Sequence, residues 1–140
     1  MKIRKSTKEN LPAIMFIIGD AQRYLSRLNI DQWQDGYPNE TQILLDIKNA
    51  DSYVVVDDKE NIMGTSVCTT KHEPTYDQID GQWLTKGNSD YGVIHRIAVS
   101  DKFRKHGLAR FVFGHYETIL KNRNVQSLRV DTHRENLGMQ

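Results

Sequence analysis

The chain has 140 residues, the length of a single domain, so we expect residues 1–140 to fold around one hydrophobic core. Lys and Arg total 19 and Asp and Glu total 18, a near-neutral balance that excludes a global field attracting nucleic acid or an anionic membrane. The longest apolar run, Ala13–Ile18, is too short to cross a bilayer, no secretory signal opens the chain, and a single cysteine cannot form an internal disulfide. We therefore expect a cytoplasmic protein.

The first half of the chain predicts a strand and two helices. Lys2–Lys5 alternates as a short edge strand. Apolar residues recur at three- and four-residue spacing from Leu11 to Leu28, which predicts an amphipathic helix beginning near Asn10, with Pro12 in its first turn. Asn39 is the predicted N-cap of a second helix that carries Ile43, Leu44 and Ile47.

The second half predicts a hairpin, a long loop and a strand-helix-strand unit. The predicted elements are strands Tyr53–Val56 and Ile62–Thr70, a polar loop from Lys71 to Asp90, a strand Gly92–Val99, a helix Leu108–Lys121 and a strand Ser127–Thr132. Because a helix joins the last two strands, they should be parallel. The fold class is therefore a mixed α/β sheet in the order β-α-α-β-β-β-α-β.

The turn before the third helix carries the clearest chemical signal. A strand ends there, Gly107 and Ala109 leave room for a close approach, and Arg104, Lys105 and Arg110 surround the turn with positive charge. Backbone N–H groups at a helix N-terminus bind phosphate oxygens, so the turn predicts a site for a diphosphate-type anion. Neither Gly-x-x-x-x-Gly-Lys-Ser/Thr nor Gly-x-Gly-x-x-Gly occurs, which argues against a nucleoside triphosphatase or a dinucleotide fold.

The segment Arg104-Lys105-His106-Gly107-Leu108-Ala109 matches the Arg/Gln-x-x-Gly-x-Gly/Ala motif of the GCN5-related N-acetyltransferases (GNAT). In this strand-turn-helix context the whole chain from Lys2 onward resembles that family. The resemblance implies a GNAT-like acyl-CoA N-acyltransferase fold and acetyl-CoA as the acetyl donor. It also implies a further C-terminal helix, commonly with a tyrosine that protonates the leaving thiolate, and further strands. Since no tyrosine follows Tyr116, we expect that a C-terminal segment is missing from this sequence; the alternative is a shortened variant whose last strand is an exposed edge.

The resemblance also assigns the cofactor-binding positions. It implies that the backbone of Ile97, Ala98 and Val99 binds the pantetheine arm and that the Val99 N–H polarises the thioester carbonyl. It further implies that Arg104, Lys105, His106, Gly107, Leu108 and Ala109 cover the pyrophosphate, with Arg110 beside them, and that Asn136 contacts the cofactor arm.

The expected reaction moves the acetyl group to a primary amine of a small molecule or peptide, by direct attack in a ternary complex. His95 is the candidate general base, because a histidine accepts a proton near neutral pH. Period-two alternation places it on one face with Val93, Ile97 and Val99. The alternative is a structural histidine packed within the sheet; Glu73 and Tyr91 are weaker candidates for the base.

Loop aromatics are the candidate walls of an acceptor pocket: Trp33, Tyr37 and Trp83. Packing beneath the loops is the equal alternative for them. Asp35 and Glu40 are interpreted as surface residues, Cys68 as inert core and His115 as a helix-face residue; we expect no metal site.

Two other functions stay open. The cations at positions 102–110 could form a nucleic-acid patch, although the neutral chain argues against nucleic-acid and membrane partners. A CoA-binding regulator of the same fold without turnover is the other alternative. The sequence leaves open the identity of the amine, among polyamines, aminoglycosides, amino acids and protein N-termini, and whether the chain forms a homodimer.

Overall fold

The computed structural model describes residues 1–86 and 89–140. Within these residues it contains five strands and three α-helices, in the predicted order: β1 (Lys2–Lys5), α1 (Leu11–Arg27), α2 (Glu40–Lys48), β2 (Ser52–Val56), β3 (Ile62–Thr69), β4 (Gly92–Val99), α3 (Leu108–Asn122) and β5 (Leu128–Arg129). The predicted fold class is confirmed.

The helices begin where the sequence signals predict. A 3₁₀ turn at Lys8–Asn10 leads into α1, where Pro12 occupies the first turn and its missing N–H costs no helical hydrogen bond. The Asn39 side chain accepts a hydrogen bond of 2.9 Å from the Gln42 N–H and caps α2. Within the described chain no helix is long and apolar enough to span a membrane.

Helices cover both faces of the sheet, whose strands follow one another in chain order. Alternate residues of β2 point to opposite faces: Val54 and Val56 pack with α1 and α2, whereas Tyr53 and Val55 pack with α3. All of β2 is therefore buried, which explains its continuous β-branched sequence. The first four strands are antiparallel, and β4 and β5 are parallel as predicted.

The pairing of β4 with β5 is short. Only Gly92 with Leu128 and Val93 with Arg129 are paired among the described residues, so β5 is shorter than the predicted strand Ser127–Thr132. Just past β5, the Asp131 side chain accepts a 2.5 Å hydrogen bond from the Tyr76 hydroxyl, and residues 130–132 are not paired with β4. The C-terminal half of β4 and the segment 130–132 consequently face each other across an opening.

A β-bulge interrupts β4 beside this opening. Ser66 of β3 faces two residues, Arg96 and Ile97, because the register shifts by one residue, and Arg96 has a positive φ of 48°. The extra residue reverses the alternation, so Ile97 and Val99 pack against the α3 core together with Ile94. The expectation that they share a face with His95 is therefore wrong.

The loop between β3 and β4 docks on β5. Tyr76, Tyr91 and Val93 form a buried cluster with Trp83 packed on it. The Arg129 guanidinium lies 4.2 Å from the Trp83 ring centre and 3.9 Å from that of Tyr91, a cation–π arrangement on both rings. These contacts fix the loop close to the opening.

Candidate active site

A cavity of about 490 Å³ fills the opening between β4 and the segment 130–132. One wall is formed by β4 residues 94–99, and Val130, Asp131 and Thr132 form the wall opposite. The cavity continues to the turn before α3 in one direction and to the α1–α2 loop in the other. It thus joins two ends of different construction, called here the turn end and the loop end.

Backbone groups dominate the turn end. Gly107 precedes α3 with a φ of +75°, and Lys105 also has a positive φ, 63°, so the chain curls around the helix start. The N–H groups of Leu108, Ala109 and Arg110 lie in the first helical turn, where the helix itself offers them no acceptor. A Cβ at Gly107 would meet no atom within 4 Å, so the turn leaves open space. This arrangement can bind phosphate oxygens.

The cationic side chains at the turn end differ in position. Arg104 lies over the Tyr24 ring, 4.0 Å from its centre, and forms a 2.7 Å ion pair with Asp101. Arg104, Lys105, Gly107, Leu108 and Ala109 line the cavity. His106, which lies within the motif, and Arg110, which follows it, are exposed and do not line the cavity. Of these cationic side chains, Arg104 and Lys105 therefore reach the cavity, beside the backbone amides of the first helical turn.

The β4 wall offers main-chain groups to a ligand. Ser100 donates its N–H to Met63 on β3 at 2.9 Å. Because successive N–H groups of a strand point to opposite sides, the Val99 N–H points away from β3, toward the edge that β5 leaves open. Ile97, Ala98 and Val99 all line the cavity, as does Asn136, whose side chain donates a 2.8 Å hydrogen bond to Gln32.

His95 lies on the cavity wall beside a carboxylate. Its Nε2 is 3.5 Å from Oε2 of Glu73, so the structure brings together two residues that the sequence named separately. Burial, and then the neighbouring Arg96 charge, lower the pKa of His95 below its usual 6.5. Hydrogen bonds from Thr75 lower the pKa of Glu73, which keeps it ionised. The pair is thus a neutral imidazole beside a carboxylate.

The loop end contains two of the three predicted aromatics. Trp33 and Tyr37 line the cavity from the α1–α2 loop. Trp83 lies outside it: its ring packs on Tyr76 at 5.2 Å between centres, and its Nε1 donates to the Tyr76 carbonyl at 3.0 Å. For Trp83 the structure therefore favours the packing role.

The remaining sequence candidates lie away from the cavity. Tyr91 is buried and accepts a 2.9 Å hydrogen bond from the Glu73 N–H, and Asp35 and Glu40 are exposed. Burial raises the pKa of the Cys68 thiol to about 11, which leaves it inert. His115 of α3 packs against the rings of Tyr53 on β2 and of Tyr116 on α3. Among residues 1–86 and 89–140 no group of three His, Cys, Asp or Glu side chains could hold a metal ion.

Sequence reasoning missed the ion pair behind the loop end. Arg96 lines the cavity and forms a two-pronged pair with Asp46 of α2, at 2.7 and 2.8 Å. The two residues are 50 positions apart, so no local spacing could have connected them. The only signal in the sequence is a charged residue, next to His95, in a strand whose other residues are apolar or glycine.

Comparison with known proteins identifies the class to which this fold and site belong. The acetyltransferase (GNAT) family model matches residues 20–140. An acetyltransferase of the GNAT family from Streptococcus agalactiae is 32% identical, with 99% of this chain and 79% of that chain covered and a TM-score of 0.84. The chain therefore belongs to the GNAT acetyltransferase family. No curated protein sequence matches it.

Two more distant structures share the fold. A putative acetyltransferase from Staphylococcus aureus is 22% identical, with 99% of this chain and 87% of that chain covered and a TM-score of 0.76. The structure of AAC(6')-Iy in complex with a bisubstrate analogue, CoA-S-monomethyl-acetylneamine, is 20% identical, with 99% and 83% covered and a TM-score of 0.63.

Proposed function

We propose that this protein is an N-acetyltransferase that transfers the acetyl group of acetyl-CoA to a primary amine of a small molecule or peptide. The observation that carries the proposal is one continuous cavity that joins the turn at Gly107 to His95, which lies 3.5 Å from Glu73. The turn suits a diphosphate, and the open β4 edge beside it suits an amide-containing arm. At the far end stands a base.

The residues present fit acetyl-CoA. The open space at Gly107 and the first-turn amides of α3 would hold the pyrophosphate, with Lys105 adding charge. Main-chain groups of Ile97, Ala98 and Val99 would hold the pantetheine arm along the unpaired edge of β4, and Asn136 lies on the same cavity. When bound, acetyl-CoA supplies an activated acetyl thioester.

His95 would then prepare the amine. An alkylamine is protonated at neutral pH and attacks only as the free base. The ammonium would first lose one proton to water. The free amine then attacks the carbonyl carbon, so that the C–N bond forms and the C–S bond breaks. His95, which burial keeps neutral, can take the second proton from the nitrogen, and CoA would leave as a thiolate that is protonated by solvent. The Glu73 carboxylate, 3.5 Å away, would stabilise the imidazolium, and the Val99 N–H would bind charge that develops on the carbonyl oxygen.

Calorimetry and thiol release test the proposal together. We expect acetyl-CoA to bind, and CoA thiol to be released only in the presence of an amine. A suitable panel holds one polyamine, one aminoglycoside, several amino acids and peptides with free N-termini. Binding without release on any amine would favour a silent CoA-binding regulator. Binding of an oligonucleotide that weakens steeply between two salt concentrations, without acetyl-CoA binding, would favour the nucleic-acid alternative.

A further inference from the structure

Arg96 occupies a special backbone position at the loop end of the cavity. It is the bulge residue of β4, and its φ of 48° lies in the left-handed region, which residues other than glycine rarely adopt. Its guanidinium donates to Asp46 through Nε at 2.7 Å and Nη2 at 2.8 Å, and to the Tyr37 hydroxyl through Nη1 at 2.6 Å. One side chain therefore connects β4, α2 and the α1–α2 loop.

Burial and charge show what this connection does. The side chains of Arg96 and Asp46 are only 11% and 7% exposed, so their charges compensate each other away from solvent. Gln42 donates a further 3.0 Å hydrogen bond to Asp46. Since Asp46 and Tyr37 occupy three of its N–H groups, the Arg96 guanidinium is committed to the protein and serves poorly as a free anion site.

Asp46, Arg96 and Tyr37 form a series of hydrogen-bonded side chains, and Tyr37 is the last of them and lines the cavity. Its hydroxyl accepts the Arg96 hydrogen bond, and its carbonyl accepts a 3.0 Å hydrogen bond from Gln22 of α1. Tyr37 is nevertheless 41% exposed and lies on a loop. The hydrogen bond from a buried cation therefore restrains the position of its hydroxyl at this part of the wall.

We propose that Asp46 and Arg96 are positioning residues that hold Tyr37 as a fixed wall of the amine-binding end of the cavity. Through Tyr37 they set the affinity for the acceptor, whereas the affinity for acetyl-CoA depends on the separate turn end. This inference rests on the proposed acetyl transfer. It predicts that removing a hydrogen bond between Asp46, Arg96 and Tyr37 raises the KM for the acceptor and leaves the KM for acetyl-CoA unchanged.

Tyr37→Phe is the sharpest variant, because it removes a single oxygen and keeps the ring. We expect the KM for the acceptor to rise about tenfold or more, as for a lost hydrogen bond to a charged donor. The KM for acetyl-CoA and the kcat should stay within about twofold. Tyr53→Phe is the matched control, since Tyr53 lies in the α3 core outside the cavity and should leave the acceptor KM unchanged.

A double-mutant cycle tests whether the three residues act as one unit. Asp46→Asn should raise the acceptor KM as Tyr37→Phe does, and the two changes together should raise it no further than the larger single change. Additive effects, or an equal rise in the KM for acetyl-CoA, would overturn the inference. If Asp46→Asn does not fold, hydrogen exchange in Tyr37→Phe decides the inference instead.

Hydrogen exchange gives a readout that needs no turnover. In Tyr37→Phe the amides of residues 28–39 should exchange faster than in the parent, with α3 unchanged. If the parent acetylates no amine, the proposed function fails, but the exchange result still shows whether Arg96 holds the loop. Unchanged exchange in residues 28–39 would refute the positioning role whatever the activity.

Discussion

The two ends of the cavity are built in different ways. The turn end is one continuous segment, residues 104–109, and presents mainly backbone amides around a left-handed glycine. The loop end gathers side chains from the α1–α2 loop, α2, the β3–β4 loop and β4, joined by hydrogen bonds between residues up to 59 positions apart. Binding at the turn end should therefore be lost when its backbone conformation changes. The structure of the loop end should be lost when one partner of a hydrogen bond or ion pair is removed.

The largest effect is expected at the loop end, on the stability of the fold. Asp46→Ala would leave the Arg96 guanidinium buried without its counter-charge, which should lower the free energy of unfolding by about 3–5 kcal/mol. Lys71→Ala is the control, because the Lys71–Asp51 pair has a 63% exposed lysine side chain and should cost at most about 1 kcal/mol. Urea unfolding of both variants measures the difference. Equal losses of unfolding free energy in the two variants would show that the buried Asp46–Arg96 pair stabilises the fold no more than the exposed Lys71–Asp51 pair.

The next prediction separates chemistry from binding at the same end. We expect His95→Ala to lower kcat about 100-fold at neutral pH, the usual contribution of a general base. In the parent, the acid limb of kcat should lie below pH 6.5, because burial lowers the pKa of His95 and preserves the neutral base as the pH falls. The limb should disappear in His95→Ala. An alkylamine titrates near pH 10 and an α-amino group near pH 8, so both lie above this limb.

His115→Ala is the matched histidine control. Burial also lowers the pKa of His115, but this residue lies on α3 outside the cavity, so the acid limb of kcat should persist. A pH profile of His95→Ala that keeps the limb would remove His95 as the base. The free energy of unfolding should also depend on pH. Below pH 6.5 the histidine of the unfolded chain binds a proton more readily than folded His95 does, so the parent should lose stability as the pH falls.

The contrast between the ends also explains which features the sequence predicts. The helices, the hairpin and the turn at Gly107 follow from local signals: apolar spacing, caps and a contiguous motif. The bulge at Arg96 has no such signal, because one extra residue in a ladder depends on the partner strand. The length of β5 was likewise overestimated, since strand propensity cannot show where a neighbouring strand diverges.

Loop aromatics illustrate the same limit. Tyr37 and Trp83 look alike in sequence, as large rings on polar loops, yet one lines the cavity and the other packs on Tyr76 and Arg129. Which of them meets a ligand depends on where each loop docks. The Glu73–His95 pair is similar, because its two members are 22 positions apart in the chain.

A smaller effect is expected at the turn end. Gly107→Val should weaken acetyl-CoA binding about tenfold, because a β-branched residue strains a φ of +75° and its side chain enters the open space of the turn. Isothermal titration with acetyl-CoA measures the loss, and the parent is the reference. Undiminished affinity would mean that the pyrophosphate does not lie on this turn.

Gly114→Ala should give the smallest change, and with the opposite sign. Gly114 lies in the middle of α3 on its exposed side, where a Cβ would meet no atom within 4 Å. Replacing a mid-helix glycine by alanine removes conformational freedom from the unfolded chain, so the free energy of unfolding should rise by about 0.5–1 kcal/mol. Acetyl-CoA affinity should not change, since α3 contributes to the cavity only through its first turn. If Gly114→Ala weakened acetyl-CoA binding as much as Gly107→Val does, the effect of Gly107→Val would belong to the helix as a whole and not to the turn.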